Sequence, residues 1–180
     1  GEVLSLEDED LIEEEEVVIT LTNNGYIKRL ANSEFRAQRR GGRGVQGMGV
    51  HDEDFVRTLV SCSTHDTLLF FTNAGKVYRA KGYEIPEYGR AAKGIPVINL
   101  LGIDSNERIQ TIISVSGQPE EGSYLFFTTK LGVVKRTSVT AFANIRSNGL
   151  IAIGLKENDE LVNVLSTKGD DVMIIGTHKG

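Results

Sequence analysis

The sequence predicts an all-β fold of propeller-like blades, each holding about four short strands. Three observations predict it. A unit of about 50 residues recurs along the chain, every copy sets a β-rich apolar run against a glycine turn, and no ten-residue window carries a helical period.

The units align residue by residue. VVITLTNNGYIKRL (17–30), TLLFFTNAGKVYRA (67–80), SYLFFTTKLGVVKRT (123–137) and VMIIGTHKG (172–180) each place a threonine three residues before a glycine. The pairs are Thr22/Gly25, Thr72/Gly75, Thr129/Gly132 and Thr177/Gly180, with glycine spacings of 50, 57 and 48. Val, Ile, Phe and Thr suit a pleated strand, and Asn24-Gly25 suits a tight turn that needs positive φ, so each copy reads as a β-hairpin. The second half of each unit also recurs. RGVQGM (43–48), KGIPVI (93–98) and NGLIAI (148–153) predict one short strand. EDFVRTLVS (53–61), NERIQTIIS (106–114) and DELVNVLS (159–166) predict another, entered through an acidic turn. The predicted organisation is an acidic leader over 1–16, blades over 17–66, 67–122 and 123–171, and the first strand of a truncated fourth blade over 172–180. The last unit stops at its turn glycine, so the sequence reads as an open arc cut from a longer array.

Composition narrows the class. At 180 residues and 39% apolar content the chain is long enough for a substantial core. No run approaches the roughly 18 apolar residues of a membrane helix, and the first residues are acidic where a secretory signal is basic, which predicts a cytoplasmic protein with no membrane role. Cys62 is the only cysteine, which excludes an intrachain disulfide, and its setting LVSCS predicts a buried structural thiol. The net charge of −5 hides an asymmetry. Residues 1–16 hold nine of the 25 acids and no base, leaving 16 acids against 20 bases, about +4, on the body. A basic body points to a polyanionic partner, with the leader either a solvated linker or a competitor for the same surface.

The sharpest local feature is QRRGGRG (38–44), three arginines and three glycines with no apolar residue to bury, predicted to lie on a loop. Its counterparts are YGRAAKG (88–94) and ANIRSNG (143–149), so it is a specialised form of a segment every unit has. Glycines let a backbone approach closely, and backbone N–H groups and guanidiniums together clamp phosphate oxygens. Such contacts fix a sugar-phosphate backbone without reading bases, which predicts weak sequence preference. Bases recur once or more per unit at Lys28, Arg29, Arg36, Arg79, Lys81, Arg90, Lys93, Lys135, Arg136 and Arg146, and form a candidate secondary rim for a polyanion.

Rival readings are weaker. GRGVQG (42–47) fits the dinucleotide fingerprint G-x-G-x-x-G, with Asp66 at 19 residues beyond, but no apolar strand precedes it and no helix can start in MGVHDED. A phosphate-binding loop would need G-K-[ST]. A disordered arginine-glycine tail does not fit between strands of a repeat. His51, His65 and His178 are scattered, and Asp52 and Asp54 read as turn caps, so no catalytic residue and no metal site is predicted.

In combination with the repeat, QRRGGRG resembles the box of the bacterial DNA gyrase A proteins, and the blades from about Leu11 to Gly180 resemble the C-terminal domain of that family. The resemblance implies a β-pinwheel, a propeller variant with strands exchanged between neighbouring blades. It implies that a basic rim wraps duplex DNA and that the box fastens the wrap, so that an ATP-dependent type II topoisomerase introduces negative supercoils. The fastening role carries over to Gln38, Arg39, Arg40, Gly41, Gly42, Arg43 and Gly44, with Arg43 standing where lysine is common. ATP and Mg2+ are then used elsewhere in the holoenzyme, a heterotetramer in which the partners are the gyrase B protein and a second gyrase A chain. The alternative is a propeller-type protein-interaction scaffold with no DNA role.

Overall fold

Near-continuous apolar runs such as VVITL and TLLFF leave no strand face suited to water, and the computed structural model shows both faces of these first strands buried. It describes residues 9–40, 53–116 and 122–168, with the side chains of residues 38–40 and 168 left aside. The predicted strand at 43–48, His51, Asp52, His178 and the fourth-blade segment at 172–180 lie outside the described residues.

Strands β1 (Glu16–Thr22) and β2 (Tyr26–Ala31) form the first hairpin, β4 (Thr67–Thr72) and β5 (Lys76–Lys81) the second, and β8 (Ser123–Thr129) and β9 (Val134–Ser138) the third. The turn glycines Gly25, Gly75 and Gly132 have φ of 90°, 81° and 90°, the left-handed region that glycine enters without steric cost. The acidic-turn segments become β3 (Val56–Ser63), β7 (Ile109–Val115) and β11 (Leu161–Lys168), each antiparallel to the first strand of its own hairpin. The two-residue strands β6 (Ile95–Pro96) and β10 (Leu150–Ile151) fall where KGIPVI and NGLIAI predict them.

The sheets do not coincide with the repeats. Their orders are β3-β1-β2-β6, β10-β5-β4-β7 and β11-β8-β9. Strand β6 comes from the second unit yet pairs with β2 of the first, through Tyr26↔Pro96 and Ile27↔Ile95. Strand β10 comes from the third unit and pairs with β5 of the second, through Leu150↔Val77 and Ile151↔Lys76. The second and third units therefore each send a strap backwards to satisfy the outer edge of the preceding sheet.

The blades stack through two apolar cores. Val17, Ile19, Leu21 and Ile27 of the first sheet meet Leu68, Phe70, Ile109 and Ile112 of the second. On the other face of that second sheet, Leu69, Phe71 and Val77 meet Leu125, Phe127, Leu161 and Val164 of the third. Position within the stack decides exposure. Ile109 and Ile112 are 5% and 6% exposed, whereas Val56 and Leu59, their counterparts in the first sheet, are 49% and 47% exposed. Strands β3, β7 and β11 lie side by side.

One expectation is corrected. The segment following β2 is a helix, α1 (Asn32–Arg40), so Gln38, Arg39 and Arg40 end a helix and do not lie in a loop. At nine residues it is shorter than the window searched for a period, and Phe35 and Ala37 alone make no apolar stripe to reveal it. A second helical turn, α2 (Val97–Leu100), follows β6 directly, Val97 N–H donating to the Gly25 carbonyl at 2.8 Å. Among the described residues no helix is long and apolar enough to cross a membrane.

Two outcomes are expected. The Phe71 ring is fully buried and packs edge-on against Phe127 at 5.4 Å and Phe142 at 5.8 Å. Phe71→Ala should lower unfolding free energy by about 3–5 kcal/mol in a urea titration. Burial, with Asp66 and Glu16 nearby, pushes the Cys62 thiol up to about 12. The folded chain thus keeps this proton where the unfolded chain releases it, so the thiol's contribution to stability is present below its ordinary pKa and is lost as pH rises toward 12. At pH 8, thiol labelling of the folded protein should run roughly 10³-fold slower than in denaturant, and equal rates would refute the burial.

Candidate nucleic-acid interface

The straps carry the loops aligned with QRRGGRG, and their course follows from which backbone groups β2 leaves unpaired. Arg29 N–H donates to the Pro86 carbonyl at 3.0 Å, and Tyr88 N–H donates back to the Arg29 carbonyl at 3.3 Å. The strap then departs at 89–94 and returns at Ile95 and Pro96 to complete the sheet. Gly94 makes the return possible. Its φ is +96°, and a Cβ there would stand 2.2 Å from the Ile27 carbonyl oxygen. The next strap closes on β5 in the same way, with Gly149 at φ +84° and its missing Cβ only 2.8 Å from the Tyr78 ring. Gly44 holds the aligned position in the first unit and lies outside the described residues, as do Gly41, Gly42 and Arg43.

Lys28 and Arg29 are consecutive on a strand and so point to opposite faces. Arg29 Nε donates to the Ile85 carbonyl at 2.9 Å, on the side where the strap leaves the second unit. Lys28 Nζ donates to the carbonyls of Gly89, Arg90 and Ala92 at 3.2, 3.0 and 2.8 Å. The strap thus wraps over the edge of β2, gripped from both faces.

This geometry corrects part of the expected rim. Lys28 is 8% exposed, and burial lowers its pKa against the opposing pull of Glu34. An ammonium saturated by three carbonyls is turned inward and is no free phosphate ligand. Arg29 adds a 3.8 Å ion pair with Glu15. Lys81 Nζ bonds Glu9 at 3.2 Å and the His65 carbonyl at 3.3 Å. Both side chains are mostly buried, at 16% and 17% exposure. The alternation of a strand hides this, because the repeat marks where bases recur but not which of them the neighbouring unit covers.

The acidic leader supplies the partners. Among the described residues, the segment before β1 is held to the turn after β3. Thr64 N–H donates to the Glu15 carbonyl at 2.9 Å, the Thr64 hydroxyl donates to the Glu13 carbonyl at 2.8 Å, and the His65 Nε2 meets the Ile12 carbonyl at 2.7 Å. Ser63 Oγ bonds Glu14 at 3.2 Å. The leader therefore folds back on the first blade and competes for Arg29 and Lys81.

The remaining expected rim bases, Arg36, Arg79, Arg90, Lys93, Lys135, Arg136 and Arg146, are exposed. Lys93 Nζ stands 5.3 Å from the Tyr26 ring centre, and the Arg136 guanidinium lies 4.4 Å over Tyr124. Lys135 Nζ reaches the Ala152 carbonyl at 3.4 Å. Arg79 borders a small cleft with Val139, Phe142 and Ala143 of the next strap. Arg90 and Lys93 sit on the strap over the first sheet and Arg146 on the strap over the second, so the exposed bases step from blade to blade. Asp54 caps its turn as expected, Oδ1 accepting from the Asn24 and Phe55 N–H groups at 2.9 Å each. Among the described residues no group of three or more His, Cys, Asp and Glu is arranged to hold a metal ion.

Sequence reasoning left out Arg57 and Arg108. Both line a cleft of about 250 Å³ beside the Asn23 to Gly25 turn, and burial together with the Arg108 charge lowers the Arg57 pKa. Arg108 escaped notice because its counterparts in the other units are Phe55 and Glu160, so no repeat of charge marked it.

The chain spans 22% of the length of the curated relatives it matches most strongly. The DNA gyrase A protein of Streptococcus pyogenes serotype M3 is 68% identical over all 180 residues. Among solved structures, a topoisomerase IV C-terminal domain superposes with a TM-score of 0.71 at 29% identity, covering 87% of this chain and 47% of that one. A gyrase A C-terminal domain superposes with a TM-score of 0.60 at 28% identity, covering 86% of this chain and 48% of that one. A family model described as "DNA gyrase C-terminal domain, beta-propeller" matches residues 16–63, 66–116 and 123–168, the same three spans that hold the three hairpins. With strand-exchanged blades, cationic straps and a family match over most of its length, the chain belongs to the DNA gyrase A C-terminal domain family.

Proposed function

We propose that this chain is a DNA-wrapping element of a gyrase A protein. It bends duplex DNA along its outer straps, so that the ATP-dependent type II topoisomerase carrying it introduces negative supercoils. The observation that carries the reading is the stepwise display of Arg90, Lys93 and Arg146 on straps laid over successive sheets. Bending a 20–30 base-pair site by 40–90° costs on the order of 1–6 kcal/mol, which one loop cannot hold and several phosphate contacts along an arc can. Contacts of this kind are indifferent to base sequence.

In this reading QRRGGRG fastens one end of the wrap. Arg39, Arg40 and Arg43 neutralise phosphates, Gln38 hydrogen-bonds beside them, and Gly41, Gly42 and Gly44 let the backbone come close. Cleavage, ATP hydrolysis and Mg2+ binding belong to other parts of a complex with the gyrase B protein and a second gyrase A chain, in the bacterial cytoplasm where its DNA lies.

Two measurements test this. Replacing Arg39, Arg40 and Arg43 together with alanine should flatten the dependence of log K on log salt by about 2.7, at roughly 0.9 per phosphate contact. An unchanged slope would remove the box from the contact surface, and binding with no salt dependence at all would favour a protein scaffold. In the full enzyme the same change should abolish negative supercoiling and leave relaxation and strand cleavage largely working. Equal loss of both activities would argue against a wrapping role.

A further inference from the structure

The buried Lys28 was expected among the DNA ligands, and its removal from the surface leaves a question. An ammonium is costly to bury unless its hydrogens are matched, and this one is matched by three carbonyls of a single loop. Those carbonyls belong to Gly89, Arg90 and Ala92, in the loop that departs from β2 after Tyr88 and rejoins it at Ile95. Within the loop the Ala92 N–H donates to the Gly89 carbonyl at 3.1 Å, and the three ammonium bonds converge on this same stretch of backbone. The loop's shape therefore depends on the lysine at its centre. With the carbonyls drawn inward, the Arg90 and Lys93 side chains are left exposed.

We infer that Lys28 is a positioning residue for the DNA track: its ammonium is the internal latch of the 89–94 loop and holds Arg90 and Lys93 in place to meet consecutive phosphates. This rests on the wrapping function proposed above. The other units support a dedicated anchor at this register position, the third residue after the turn glycine. In the second hairpin it is Tyr78, whose ring lies against Gly149 of the following strap and whose hydroxyl donates to Glu107 at 2.9 Å. In the third it is Lys135, exposed and bonded only weakly to the Ala152 carbonyl at 3.4 Å. Tyrosine anchors its strap by ring contact and needs no charge. Lysine anchors through hydrogen bonds that each involve a charged donor, the stronger kind. The loop it holds carries two bases, Arg90 and Lys93, where the loop over Tyr78 carries Arg146 alone.

The test uses the full-length gyrase A protein, with linear duplex DNA and trypsin as probes. Trypsin cuts after Arg90 and Lys93 only when the loop can open into its active site, so cleavage there reports the latch without reference to DNA. Lys28→Met keeps the stem and removes the donors. It should raise the cleavage rate at these two bonds at least about tenfold, and reduce the salt slope of DNA binding by about 1.8, the share of two phosphate contacts. Added to the R90A/K93A double change, it should have no further effect on the slope. Unchanged cleavage in K28M would overturn the latch whatever happens to DNA binding. A slope reduced by only about 0.9, and additive with R90A/K93A, would make Lys28 a direct phosphate ligand and overturn the proposal equally. If cleavage quickens but R90A/K93A leaves the slope unmoved, the latch stands and the wrapping function fails at this loop. Should K28M unfold the first sheet, Lys28→Gln serves in its place, because its amide offers fewer hydrogens to the three carbonyls. Cleavage after Arg90 and Lys93 should still quicken, and unchanged cleavage overturns the latch.

Discussion

The outer edges of β2 and β5 are the constraint on which the rest of this structure depends. A strand with one unpaired edge is exposed to wrong partners, and a stack of blades multiplies such edges. Here each edge is closed by two residues of the following unit, Ile95 and Pro96 on β2, Leu150 and Ile151 on β5. Proline is tolerated because β6 is itself an edge strand, where a missing donor on the outer side costs nothing. To deliver those two residues the chain must travel back across its neighbour, and the travelling segment is the strap. The surface that carries the exposed cations is thus a by-product of closing a sheet.

Stacking and strand exchange reinforce each other. The first hairpin buries Val17, Ile19 and Leu21 against the second blade, and Ile109 and Ile112 of that blade are buried in return. Their first-sheet counterparts Val56 and Leu59 are exposed, with no preceding blade among the described residues. The same second blade supplies the strap. Loss of one contact therefore weakens the other, and cooperativity between neighbouring units follows from the topology, as expected of repeat architectures in which each unit touches only its neighbours.

Electrostatics is divided by the same geometry. Arg29 and Lys28 sit side by side in sequence, and the pleat sends one toward the strap's departure and the other into its loop. Arg29 and Lys81 are further occupied by Glu15 and Glu9, so the acidic leader settles on one base that the strap also holds, through Ile85, and on another that the His65 turn holds. Of the exposed rim bases, Arg90, Lys93 and Arg146 lie on the strap loops, where desolvation is slight and a polyanion can approach, and the others lie on α1, β5 and β9. The net charge of the chain describes none of this.

Much was readable in the amino-acid order itself. The threonine-to-glycine signature located every described hairpin, because a two-strand turn is a local matter of strand propensity and positive φ. The acidic turns located β3, β7 and β11, and the glycine-led apolar runs located β6 and β10. The helix Asn32–Arg40 was missed, since nine mostly polar residues give no apolar period and the element leans on the sheet beside it. Which sheet each short strand joins, and which lysine faces water, depended on tertiary structure alone. Both are set by pairings between residues about 70 apart, such as Tyr26 with Pro96, and neither composition nor local spacing encodes which neighbour will stand at a strand's open edge.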